Sequence, residues 1–244
     1  MPELKQSWGY EYLQRTKFDR NTLFSQRKPE IKPASLIKVY QDAPQIALPL
    51  EGTKSRDIKT LLSQRRSRRN YSEQYITLQE LGFMLWSCQG ITARQGRLYL
   101  RTAPSAGGLY PIETYLVVNR VEELNPGIYH LNIRDFALEH LAEGDFSTKL
   151  QNACLGQQFM AESAVTFCWS ALFRRNMAKY GHRGLRYIFM DAAHICQNLL
   201  LAVENLNLAG CPVAAFFDDE LNAMFALSGD EESIIYTAAV GINS

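Results

Sequence analysis

Lys179 and Tyr180 stand side by side inside Arg174–Tyr187, RRNMAKYGHRGLRY, a run with five Arg/Lys, one histidine and no acid. A lysine can act as a base only if its pKa falls toward neutrality, with the tyrosine to position it or relay a proton. Like charges and partial burial both push it that way, because each disfavours the ammonium. Arg174, Arg175 and Arg183 would supply the charges. On residue types alone, the run equally suits a cationic surface loop or a patch for polyanions.

Three other segments have side chains or backbone suited to a ligand. Gln64–Ser72, QRRSRRNYS, offers forked, permanently charged donors with a hydroxyl among them, a set that suits a phosphate or a polarised carbonyl. It reads as readily as a solvated basic helix end, where arginine complements the helix dipole. Ala103–Pro111, APSAGGLYP, has small residues that let a planar ligand approach the backbone, although a tight turn before a strand would look the same. It lacks the spacing G-x-G-x-x-G, so it supports no dinucleotide-binding fold. Gly210–Phe217, GCPVAAFF, is another small-residue turn, and alone it is an ordinary helix-to-strand connection.

The remaining polar candidates are weaker. His194 and Asn198 lie one helical turn apart but have no third ligand, so they are expected to be a hydrogen-bonded pair and no metal site is expected. Cys211 is expected to be a small packing residue. Tyr71, Trp86 and Tyr110 fill a core by default.

The elements that must position these residues follow from the apolar pattern. A short helix is expected near Trp8–Leu13, and SRDIKTLLSQ, residues 55–64, is helical. Thr77 and Glu80 form a capping box, and the helix after them carries Leu78, Leu81, Met84, Leu85 and Cys88 on one face before stopping at Gly90. Buried strands are expected at about 112–119 and in AVTFCWSAL, a hairpin around Arg134-Asp135, and a short helix near 147–157. From Arg183 to Leu208 the pattern is helical, with Gly210 as its C-cap. Ile188, Phe189, Ala192, Ile195, Leu199 and Val203 cover more than one stripe of that helix, which places it centrally or in an oligomer interface. DELNAMFAL then forms a short helix and SIIYTAAVGI a final strand. Strands and helices mix without regular βαβ spacing, so the fold class is α+β.

Composition narrows the functions. With 244 residues, 46% of them hydrophobic, the chain can bury a large core. Five of the nine prolines fall in residues 1–50, which read as an extended arm packed on a main domain of residues 51–244. A net charge of +1 gives no bulk footprint for nucleic acid or a membrane surface. The polar N-terminal segment lacks the apolar core of a signal peptide, and no apolar run reaches the ~18–20 residues of a membrane span. Five scattered cysteines, odd in number and never spaced C-x-x-C, fit reduced thiols in the cytoplasm.

Read in order, RRS-x-R, then P-S-small-small before a strand, then G-x-P-x-small-small-F after a long helix, the chain resembles the flavin-dependent nitroreductase superfamily. Within it the likeness is to the SagB/ThcOx-type dehydrogenases, which include the azoline oxidases of peptide natural-product biosynthesis. PSAGGLYPIETYLVV, PGIYHL with ALEHL, and KYGHRGLRYIFMDAAHICQNLLLA extend it over nearly the whole chain. The resemblance implies a mainly antiparallel sheet flanked by helices, and a homodimer with FMN at the interface. It assigns Arg65, Arg66, Ser67 and Arg69 to the flavin phosphate, ribityl chain and pyrimidine edge. Pro104, Ser105, Ala106 and Gly107 would cover the isoalloxazine from the other subunit. Pro212, Val213, Ala214 and Ala215 would form the turn whose backbone amide, that of Ala214, faces flavin N5. Lys179 and Tyr180 would remove a ring proton as hydride leaves to flavin. Many members carry a Lys/Arg pair after the final strand or run on around the partner. Here GINS follows YTAAV, so another basic residue is expected at the phosphate.

The reading is thus an FMN-dependent oxidoreductase acting on a small molecule or a peptide heterocycle. An NAD(P)H-dependent nitro- or quinone reductase with ping-pong kinetics is the alternative. A non-catalytic protein that grips a phosphorylated ligand or nucleic acid is the reading from another class.

Overall fold

Ile112–Val118 and Val165–Leu172 are buried at nearly every residue, an arrangement that suits the centre of a sheet covered on both faces. In the computed structural model, which describes residues 5–18, 29–50, 55–96 and 98–244, they form β4 and β7. The two pair antiparallel from Ile112↔Ala171 to Val118↔Val165. Five more strands complete the sheet: β1 (Gln45–Ala47), β5 (Gly127–Asn132), β6 (Ala137–Glu143), β8 (Ala209–Val213) and β9 (Glu232–Gly241). They lie in the order β1-β6-β5-β4-β7-β9-β8, with every neighbouring pair antiparallel. A separate hairpin joins β2 (Ile91–Gln95) to β3 (Leu98–Arg101). The expected α+β class with a mainly antiparallel sheet is what the chain adopts. Residues 1–4, 19–28 and 51–54 of the expected arm and domain start lie outside the described residues.

Alternation along the central strands sends side chains to two cores. Leu116, Val118 and Phe167 face α3 (Leu78–Gln89) and α7 (Gly184–Asn205), meeting Leu81, Met84, Leu85, Ile188 and Leu199. Tyr115, Val117 and Cys168 face α4 (Ser147–Ala153), α5 (Gln158–Ala161) and α8 (Asp218–Met224), meeting Leu150, Met160 and Leu221. The capping box at the start of α3 is present in both directions, Glu80 N–H to Thr77 Oγ1 and Thr77 N–H to Glu80 Oε2. The arm contributes α1 (Trp8–Arg15) and the edge strand β1.

Three details correct the sequence reading. The helix expected over 147–157 ends at Ala153, because the chain turns with positive φ at Leu155 and Gly156 before a second short helix starts at Gln158. The long helix ends at Asn205 with Leu206 as its cap, and Asn207, not Gly210, takes the left-handed conformation after it. Gly210 and Pro212 lie in β8, so GCPV is an edge strand and the turn begins at Ala214. Proline is tolerated there because an edge strand has one side without ladder partners.

Candidate active site

The sheet and α7 gather the four candidate segments into two groups. Asp57 caps α2 (Ile58–Gln64) by accepting from Thr60 N–H at 3.0 Å, and the helix ends at Arg65. From there the chain runs along β8: Ser67 bridges to Gly210, and Arg68 N–H donates to the Gly210 carbonyl at 3.1 Å. Arg68 also anchors to α7, its guanidinium 2.9 Å from Glu204. This leaves Arg66, Ser67 and Arg69 exposed beside the exposed Ala214 and Ala215. Arg69 lies over the ring of Phe159 at 5.7 Å. Behind them, burial pushes the Cys211 thiol up, partly opposed by Arg69 and by a hydrogen bond to Ser67. The arginine segment and the GCPVAA segment are therefore one surface.

The second group forms at the other end of α7. Ser105 Oγ donates to Asp191 Oδ2 at 2.5 Å, Ala106 N–H donates to Asp191 Oδ1 at 3.3 Å, and Tyr110 N–H donates to Ser105 Oγ at 2.8 Å. This loop presents Gly107 at φ 65° directly beneath α6 (Phe173–Tyr180). A Cβ at Gly107 would stand 2.4 Å from Tyr180 Oη and 2.6 Å from Lys179 Nζ, so both polar ends face the same small patch of backbone. The Lys179 ammonium lies 5.3 Å from the centre of the Tyr180 ring, which meets Tyr187 edge-on at 4.9 Å. Asp191 and Glu204 are separated along α7 by about 20 Å, at 1.5 Å per residue. One chain thus joins the first segment with the third and the second with the fourth, and holds the two pairs apart.

Lys179 is exposed and not partly buried as expected, and the three arginines expected to crowd it are committed elsewhere. Arg174 pairs with Glu231 at 2.7 Å, and Arg183 donates to the Thr16 carbonyl at 2.6 Å. Arg175 is buried, pairing with Glu113 at 2.5 Å and donating to the Tyr110 carbonyl at 2.8 Å. Among the lesser candidates, Asn198 donates to the Ser87 carbonyl, while Tyr110 Oη accepts from Arg101 N–H and its ring lies under the Arg101 guanidinium. Asp191, Arg175 and Arg101 brace the loop, and the motif reading named none of them as site residues. An acid in the middle of an apolar helix was the available signal for Asp191.

A line of buried charge continues from Arg175 through Glu113 to His130 and Glu139. Burial raises the Glu113 carboxyl, but Arg175, His130 and Arg101 outweigh it and hold the group at about 2. Burial lowers His130, but its bonds to Glu113 and Glu139 outweigh that and leave it raised. The Glu113 contribution to stability is complete above its ordinary 4.5 and is lost as pH falls toward about 2. The His130 contribution is complete below its ordinary 6.5 and is lost as pH rises through the raised value. Urea midpoints measured across pH should therefore fall on both sides of the interval from 4.5 to 6.5. His130→Gln should flatten the alkaline side, and an unchanged alkaline slope would contradict this account.

The model of the nitroreductase family matches residues 62–242. The chain belongs to the nitroreductase family. A protein of Methanocaldococcus jannaschii that bears a nitroreductase name is 32% identical over 187 residues, covering 76% of this chain and 91% of that one. The trifolitoxin-processing protein TfxB of Rhizobium leguminosarum bv. trifolii is 34% identical over 116 residues, 45% of this chain and 31% of its own. A nitroreductase crystal structure from Anabaena variabilis superposes with a TM-score of 0.79 at 28% identity, over 96% of this chain. The chain spans 46% of that Anabaena chain and less than a third of TfxB. Family membership makes it an oxidoreductase, and the reading as a non-catalytic binding protein is set aside. Among the described residues, no helix is long and apolar enough to cross a membrane.

Proposed function

We propose that this protein is an FMN-dependent dehydrogenase of the SagB type. It works as a homodimer in the cytoplasm and oxidises an azoline or similar heterocycle in a peptide or small molecule. The observation that carries the reading is the placement of Lys179 Nζ and Tyr180 Oη together over Gly107 of the PSAGG loop. The separation of the two groups along α7 supports the dimer, since a two-fold axis beside that helix brings opposite ends of two copies together. Phe189 and Met190, each more than half exposed on α7, give that axis an apolar contact. Five free cysteines, all buried, suit a reducing compartment.

The residues fit FMN by their chemistry. Arg65, Arg66, Ser67 and Arg69 offer cations and a hydroxyl to a phosphate and a pyrimidine edge. Pro212 and Val213 end β8 so that Ala214 and Ala215 leave backbone open to a flat ring. Pro104, Ser105, Ala106 and Gly107 of the partner subunit would close the other side. When bound, FMN supplies the two-electron acceptor for the hydride. Lys179 Nζ takes the proton lost from the neighbouring ring atom, and Tyr180 orients the amine. Net loss of one hydride and one proton leaves a new double bond in the heterocycle.

A purified protein with flavin absorbance is the first expected result. Lys179→Ala should keep that absorbance and lose about 10²–10⁴-fold in turnover of a synthetic peptide carrying one thiazoline. The nitroreductase name of the M. jannaschii relative favours a second reading, NAD(P)H-driven reduction of a quinone or nitro compound. NADPH–quinone turnover that survives Lys179→Ala, in a protein that dehydrogenates no thiazoline, would put that reading in its place.

A further inference from the structure

Helix α6 is an unusual carrier for reactive side chains, because the only residues it buries are polar, Arg175 and Asn176. It has eight residues, no side-chain cap at its start and no fully buried apolar side chain. A helix this short is marginal by itself and depends on what grips it. It packs against the start of α7, where Gly184 lies close to the Asn176 and Met177 backbone, and the N-terminal arm ties down both this junction and Arg175. On the side of the helix start, Arg175 Nε donates to the Ser35 carbonyl while its other nitrogens reach Tyr110 and Glu113. Just beyond the helix end, Tyr12 Oη donates to the His182 carbonyl at 3.2 Å, and Arg183 donates to the Thr16 carbonyl. One turn further on, Arg186 donates to Thr16 Oγ1 at 2.9 Å and to the Leu13 carbonyl at 2.6 Å. The Arg183 guanidinium also lies over the Phe18 ring at 4.2 Å.

We propose that the arm is a strap that sets the position of Lys179 and Tyr180 over Gly107, with Tyr12, Thr16, Arg175 and Arg186 as positioning residues. The consequence for turnover rests on the dehydrogenase reading, whereas the strap itself does not. Each bond involves an arginine or reaches a backbone carbonyl, so the strap fixes the helix by direction and not by apolar area. Loosening it lets α6 shift while the sheet beneath stays packed.

The test is amide hydrogen exchange on the full-length, FMN-loaded protein. Arg186→Ala and Tyr12→Phe lie outside the buried charge line and should fold. Both are expected to speed exchange in residues 173–181, by about tenfold or more for Arg186→Ala, with β4 and β7 unmoved. Turnover of the thiazoline peptide should fall in kcat by about tenfold to a hundredfold for Arg186→Ala, with KM and bound FMN unchanged. Arg186→Lys should recover part of both effects. Exchange in 173–181 that stays the same in both variants, or that rises equally in the sheet, overturns the strap. If exchange rises as expected and Lys179→Ala leaves turnover intact, the strap stands and the dehydrogenase reading falls.

Discussion

Arg175→Met is expected to lower the unfolding free energy by about 3–5 kcal/mol, because it strands the Glu113 carboxylate inside the protein. Glu113 lies in β4, almost wholly buried, and its Oε1 is 2.5 Å from Arg175. His130 lies on its other side at 3.2 Å but is shared with Glu139. The same guanidinium also serves the carbonyls of Ser35 and Tyr110, so methionine fills the space and satisfies none of the three acceptors. Arg175→Lys should recover only part of the loss, since a point charge cannot reach three partners that a planar fork spans. Glu113→Gln on the methionine background should also restore stability, because it removes the stranded charge. Denaturant midpoints of the four proteins check this, and a loss well under 1 kcal/mol for Arg175→Met would contradict the assignment.

Gly107→Ala is expected to cost little stability and most of the activity. Its φ of 65° makes any side chain strained by about 1–2 kcal/mol. The new Cβ would collide with Tyr180 Oη and Lys179 Nζ, both at the ends of flexible side chains, which would swing aside and leave the fold intact. Displacing a proton-accepting group by an ångström or more should lower thiazoline turnover by about a hundredfold. Gly108→Ala is the control. It has nearly the same φ, 66°, but its Cβ would meet only Leu98 methyls at 3.6 and 3.8 Å. Equal losses of turnover in the two variants would show that backbone strain, and not the collision, is responsible.

Much of the architecture was legible because burial and local chemistry agreed. The Thr77–Glu80 box, the apolar face of α3, the central strands and the long helix each had a periodic pattern that tertiary packing had no reason to override. β8 was different. Gly210 and Pro212 have poor strand propensity, yet they lie in a strand because they pair with Val240 and Ala238 of β9, on either side of Cys211 and Ala239. Motif spacing showed what a site could contain but not which segments share a side of the fold. The separation of the two groups by more than half the length of α7 is a tertiary fact.

Arg174, Arg175 and Arg183 look alike as letters, and only Arg175 is buried. Its signal lay about sixty residues away, in IETYLVV, where one acid interrupts a strand otherwise fit for the core. A buried carboxylate requires a partner. That requirement could have been stated from the sequence, but the choice of partner could not.

The three-residue strand β1 is also the outermost member of the sheet on its side, pairing with β6 at residues 137–139. A bare strand edge presents unpaired N–H and C=O groups that a second chain can use to extend the sheet. At the opposite edge β8 carries Pro212, which cannot donate, and Ser67 lies against Gly210. The arm therefore makes the other margin a strand of only three residues in place of the seven-residue β6. A chain cut back to the family-matched residues, 62–242, would keep the four candidate segments and uncover β6. The arm's backbone thus guards against end-to-end joining of sheets, apart from anything its side chains do for the site.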